Sequence, residues 1–160
     1  MDFVRDAAPP NRELRDAVLP ANDEDRARYG ADYLTRGRLG QGSFRVLVTD
    51  AYARRCAVTG EKTLPVLEAA HIKPFASFGP NIVKNGILLR SDLHKLFDLG
   101  YITVTPELRL EVSTQLREDW ENGRDYYAHH GKELNIRPTE SANWPGREYL
   151  EWHNEHTFKP

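Results

Sequence analysis

The chain has 160 residues, 39% apolar and 10% aromatic, with a net charge of −2, which suits one compact domain with extensions and argues against wholesale disorder. Its single cysteine, Cys56, excludes an internal disulfide framework and weighs against a cysteine zinc knuckle. No apolar run approaches 18 residues and no basic-then-apolar segment opens the chain, so the expectation is a cytoplasmic protein with no membrane span or signal peptide.

Charge is unevenly spread along the chain. Residues 36–95 carry ten basic and four acidic residues, whereas 1–35 carry five against eight and 96–160 seven against twelve. A local basic face can meet phosphates on an acidic protein, and a solvated charged surface would look the same in sequence.

Residues 1–37 read as an N-terminal extension or linker, with Pro9-Pro10, Pro20, the run Asp23-Glu24-Asp25 and few large apolar residues. Some helix is expected at 12–19 and 24–34. Gly37, Gly40 and Gly42 predict a flexible lead-in to a domain over 38–160. From Ser43, apolar residues recur near helical spacing (Phe44, Val46, Leu47, Ala51, Tyr52 and Ala53), which predicts a helix that delivers Cys56. Residues 56–60 read as a tight turn and 65–72 as a short strand with His71 at its end. Pro74, Gly79 and Pro80 make 73–84 a loop, Asn85-Gly86 is a turn signal, and residues 87–89 are a short buried strand. Ser91 is expected to cap the next helix, with Asp92 in its first turn and Gly100 just past its end. Residues 101–105 and 108–113 alternate as the strands of a hairpin. Residues 114–122 read as a helix stopped by Gly123, and 146–156 as a last helix packing Tyr149, Leu150 and Trp152 on the domain.

Three polar residues carry the chemistry: His71, Asn85 and His94, spaced 14 and 9 positions apart on a strand end, a turn and a helix. Hydrolysis of a phosphodiester needs an activated water and positive charge where negative charge builds. A neutral histidine can take the proton near pH 7 and a divalent ion can serve the phosphate. His71 is the candidate base and Asn85 the candidate brace of its loop. His94, with Asp98 one helical turn later on the same face, is the candidate metal-binding pair. Each residue also has a plain alternative: a packing histidine, a turn asparagine chosen for positive φ, and an exposed polar stripe opposite Leu93, Leu96 and Phe97.

The run Cys56-Ala-Val-Thr-Gly, Ala69-Ala-His-Ile-Lys-Pro, Asn85-Gly-Ile-Leu-Leu-Arg-Ser-Asp-Leu-His-Lys-Leu-Phe-Asp-Leu-Gly and Tyr101-Ile-Thr-Val resembles the HNH endonucleases, and one bacterial subgroup of them in particular. The resemblance covers roughly residues 38–158. It implies an α+β fold with a ββα-metal core, hairpin plus helix, extended here by a second β-hairpin and C-terminal helices. It implies that His71 is the general base, that Asn85 orients it, and that His94 binds the metal. In longer relatives such a domain follows a separate N-terminal domain, which could carry specificity. Two departures stand out. Many HNH sites place a metal ligand immediately before the base, where this chain has Ala70; Asp98 is the best substitute and Glu68, which shares the Ala70 side of the strand, the runner-up. Many also carry two Cys-x-x-Cys knuckles, of which only Cys56 remains.

The expected function is therefore a metal-dependent DNA endonuclease, in restriction or defence against foreign DNA, giving 5′-phosphate and 3′-hydroxyl products by resemblance. Mg²⁺ is the first choice of ion, and Mn²⁺, Zn²⁺ or Ni²⁺ also suit a His/carboxylate site. Arg54, Arg55, Lys73, Lys84, Arg90 and Lys95 flank the site in sequence and are the expected nucleic-acid-binding residues. A homodimer would suit a double-strand cutter with one site per chain. Ala70 keeps open a catalytically decayed HNH-fold module that binds nucleic acid or protein. His129-His130 and His153 with His156 leave room for a second metal site in a regulatory protein, against packing beside Trp152 and the tyrosines. Trp144 and Trp152 could stack on bases, against packing of the C-terminal helix.

Overall fold

A computed structural model describes residues 40–160, so the expected helices at 12–19 and 24–34 and the linker over 1–37 lie outside the described residues. A helix, α1, occupies residues 40–51. Gly40 and Gly42 lie inside it, so they are not the flexible lead-in the sequence predicts. The stripe that pins this helix is Phe44, Val48 and Tyr52, spaced four apart and all buried; Leu47 faces outward and is exposed. Ala53 and Arg54 then adopt left-handed backbone (φ 53° and 58°) and end the helix.

The tight turn at 56–60 closes through the Gly60 N–H donating to the Cys56 carbonyl at 2.9 Å, with Gly60 at φ +75°. Its next anchor is Leu88, whose carbonyl accepts the Ala57 N–H at 2.8 Å. Cys56 is buried and its Sγ accepts the Arg90 N–H at 3.4 Å. Backbone hydrogen bonds and apolar burial hold this turn.

Strands β1 (Leu67–His71) and β2 (Gly86–Arg90) pair antiparallel, with Leu67 opposite Arg90 and His71 opposite Gly86. Gly86 has an extended backbone (φ −125°), so Asn85-Gly86 is not a positive-φ hairpin turn. Gly86 is instead where α1 docks: a Cβ there would overlap Val48 Cγ2 and lie 3.0 Å from Phe44 Cζ.

Helix α2 (Ser91–Leu99) follows β2 without a loop. Its N-cap is Arg90, still extended, and Ser91 is the first helical residue and makes no cap. Asp92 anchors the helix start instead, receiving two N–H groups of Arg90 (2.7 and 3.0 Å) and the hydroxyl of Tyr126 (2.9 Å). Gly100 closes the helix in left-handed geometry (φ +81°), as the sequence predicts. Strands β3 (Ile102–Val104) and β4 (Leu110–Val112) form the second hairpin. Helix α3 (Gln115–Trp120) is shorter than expected, because Glu121 turns left-handed at φ 54°. A short α4 (Arg124–Tyr127) begins after Gly123, and α5 (Arg147–His156) ends the fold.

The architecture is thus a β-hairpin plus helix, extended by a second hairpin and C-terminal helices. One apolar cluster joins all of it, from Phe44 through Ile87, Leu93, Phe97 and Ile102 to Leu150. His153 belongs to that interior: its ring stacks on Phe97 with centroids 3.8 Å apart, Nε2 donates to the Phe97 carbonyl at 3.0 Å, and Nδ1 lies 2.7 Å from Thr103 Oγ1. Burial pushes its pKa down to about 4. That environment fits the packing reading of His153. Its expected companion, His156, is exposed and stacks on Trp152. Among the described residues no helix is long and apolar enough to cross a membrane.

Candidate active site

His71 stands at the last position of β1, where strand pairing to Gly86 holds its backbone. Phe44 of α1 covers one face of the ring, with centroids 3.9 Å apart and planes 9° from parallel. Nε2 lies 2.6 Å from Oδ1 of Asn81, a buried residue of the loop between the strands. Burial lowers the His71 pKa from the usual histidine value, and the Asn81 contact opposes that only in part. The ring is therefore neutral at pH 7, the form a base requires.

Asn85 is buried, and its side-chain hydrogen bonds go to backbone groups of the loop. Its Oδ1 accepts the Lys73 N–H at 2.8 Å, and its Nδ2 donates to the carbonyls of Lys73 and Pro80, both at 2.9 Å. It fastens the two arms of the 73–84 loop together, just beyond His71 on one side and just before Asn81 on the other. The sequence points to Asn85 as the brace that orients the ring; in the structure Asn85 ties the loop and the side chain hydrogen-bonded to the ring is Asn81.

His94 lies on the flank of α2, between the buried face of Leu93 and Phe97 and the solvent. Two carboxylates hold its ring by opposite nitrogens. Glu68 Oε1 is 2.9 Å from Nδ1, and Asp98 Oδ2 is 3.2 Å from Nε2. The hydrogen bond to Asp98 is the largest cause of a raised pKa; burial opposes it and Glu68 adds to it. In this arrangement Glu68 and Asp98 approach opposite nitrogens of the imidazole and do not face a shared space.

His71, His94 and Asp98 line one cavity of about 350 Å³, walled by Gln41 of α1, Ala69, Pro74 and Thr157. Among the described residues no group of three or more His, Cys, Asp or Glu side chains could hold an ion. The donors present are a pair, His94 Nε2 and Asp98 Oδ2. Their 3.2 Å separation suits adjacent positions on one octahedral ion, whose cis ligands at about 2.1 Å stand about 3.0 Å apart. Mg²⁺ commonly takes one or two protein ligands and fills the rest with water and substrate phosphate, so the pair fits such an ion. Glu68 on Nδ1 would keep the lone pair of His94 on Nε2.

The expected nucleic-acid contacts are scattered. Lys73 follows His71 closely and its ammonium sits 5.6 Å over the Trp152 ring. Lys95, next to His94, and Lys84 are exposed. Arg54 is exposed and 3.7 Å from Asp50, and Arg55 Nε donates to the Gly60 carbonyl. Arg90 forks onto Asp92 and pairs with Leu67 at the hairpin end away from His71, about 13 Å along the strand. Phe44, Asn81 and Gln41 carry no motif that marks them in the sequence, and they reach the site only through tertiary packing.

A family model described as HNH endonuclease matches residues 56–105, which contain His71, Asn81, Asn85, His94 and Asp98. No curated protein matches the chain. Among solved structures, one described as a modification dependent TagI restriction endonuclease is 20% identical with a TM-score of 0.49; the match covers 71% of this chain and 36% of that one. An HNH-type endonuclease domain is therefore present over residues 56–105 of this chain.

Proposed function

We propose that the chain is a metal-dependent DNA endonuclease whose nuclease unit spans 38–160, with His71 as general base and His94 and Asp98 as metal ligands. The observation that carries the reading is the shared cavity: a neutral histidine from the hairpin and a histidine–carboxylate pair from the helix open onto the same space.

In this reading His71 removes a proton from the water that attacks phosphorus, in line with the departing 3′ oxygen. Its lowered pKa keeps it unprotonated for that step at pH 7. Asn85 keeps the loop beside His71 closed. A divalent ion on His94 and Asp98, with Mg²⁺ the first choice, would supply the positive charge that the phosphate and leaving oxygen require. Glu68 holds the His94 ring in the orientation that presents Nε2. Lys73 and Lys95, nearest in sequence to these residues, are proposed to meet flanking phosphates, and Arg54, Arg55, Lys84 and Arg90 to contribute more distant contacts. The biological setting proposed is restriction or defence.

Nicking of supercoiled plasmid in Mg²⁺ tests the reading. The wild-type chain is expected to cut, EDTA to stop it, and His71→Ala to lower the rate by about 10²- to 10⁴-fold. Asp98→Asn is expected to raise the Mg²⁺ concentration for half-maximal rate by about 10- to 100-fold, and Glu68→Gln to have a smaller effect. Undiminished cutting by His71→Ala would reject His71 as the base, and DNA binding without cutting in any divalent ion would favour a decayed module.

A further inference from the structure

We infer that Asn81 selects the tautomer of His71 and thereby makes Nδ1 the nitrogen that takes the proton from water. The inference deepens the nuclease reading and rests on His71 being its base. An amide oxygen can only accept a hydrogen bond. With Asn81 Oδ1 2.6 Å from Nε2, the ring proton of neutral His71 must reside on Nε2, and the lone pair falls to Nδ1.

Three restraints hold that arrangement. Phe44 stacks on the ring face. Asn81 is fully buried and takes the ring edge. Asn85 clamps Pro80, the residue before Asn81, to Lys73, two residues after His71. Rotating the ring half a turn would exchange the Nε2–H donor for a carbon and cost a buried amide oxygen this partner, which burial makes unfavourable. The two asparagines therefore divide the work: Asn85 holds the loop and Asn81 holds the ring. Asn81 is a positioning residue, since it acts through His71.

The test is a long-range proton–nitrogen correlation spectrum of the full-length, nitrogen-15-labelled chain at pH 8, with His71 assigned from the signals lost in His71→Gln. The wild type is expected to show the Nε2–H tautomer. Asn81→Ala is expected to give a tautomer mixture and to lower kcat for plasmid nicking by about 10- to 100-fold with KM unchanged. Asn81→Asp, which keeps an oxygen opposite Nε2, should restore the single tautomer and most of the rate. An Nδ1–H tautomer in the wild type, as would follow from Asn81 presenting Nδ2 instead of Oδ1, overturns the inference. So does an Asn81→Ala chain with unchanged tautomer and rate. The wild-type spectrum decides the matter even where Asn81→Ala does not fold. A wild-type chain that shows Nε2–H yet cuts no DNA in Mg²⁺ or Mn²⁺ overturns the nuclease reading and leaves the tautomer assignment standing, so the two failures are told apart.

Discussion

His71 and His94 share a cavity, yet their surroundings push their pKa values apart. Burial drives His71 toward the neutral form, while the carboxylates of Asp98 and Glu68 raise the pKa of His94 and favour its protonated form. This separation gives two pH limbs of known order. His71 is unprotonated above a pKa that lies below 6.5, the ordinary histidine value, so at saturating Mg²⁺ the rate should fall only below that value. His94 must release its Nε2 proton before an ion can bind, and its pKa lies above 6.5. At limiting Mg²⁺ the loss of rate on acidification should therefore begin above pH 6.5. Rate–pH profiles at several Mg²⁺ concentrations check this; a limb that stays in place at every concentration would contradict the assignment of the two histidines to separate tasks.

Among the elements, the contact between α1 and the first hairpin controls the most. Gly86 has ordinary extended backbone, so a side chain there meets no conformational penalty. Its cost is steric, because the new Cβ would overlap Val48 Cγ2 and crowd Phe44. Gly86→Ala should destabilise the fold by about 1–3 kcal/mol, seen as a lower urea midpoint with unchanged slope. Since Phe44 carries the stack on His71, the same change should also lower the nicking rate of the folded fraction. Gly100 presents the opposite case: its φ of +81° and the Thr157 carbonyl, which a Cβ there would overlap, make Gly100→Ala both strained and crowded. That variant should lose stability at the junction of α2 with the C-terminal residues, on the wall of the cavity.

For the molecule as a whole, His153 ties α2, β3 and α5 together and links global stability to acidity. Its folded pKa of about 4 lies below the ordinary histidine value of 6.5. Between those values the unfolded chain binds more protons than the folded one, so stability rises with pH through this window. The contribution is fully present above pH 6.5 and is lost as pH falls toward 4; the shift sets it on the order of 3 kcal/mol. Urea unfolding at pH 7.5 and pH 5 should show this loss, and His153→Gln should flatten the difference while lowering stability at pH 7.5.

Much of this was legible in the residues themselves. The two strands of the first hairpin, the helix after them, the second hairpin and the last helix each follow from apolar patterning among near neighbours, whereas the Asn85-Gly86 turn signal and the Ser91 cap do not hold. The His94–Asp98 pairing follows from helical spacing alone. The geometry of contacts that close over longer distances was not legible: Glu68, visible in the sequence only as a spare ligand, reaches His94 across 26 positions, Phe44 reaches His71 across 27, and Asn81 meets His71 in a loop that Asn85 ties together. Local pattern can specify an element because its atoms are neighbours in the chain. Which ring nitrogen is held, and which carboxylate faces which side of an imidazole, depends on how separate elements pack, and only the folded arrangement decides that.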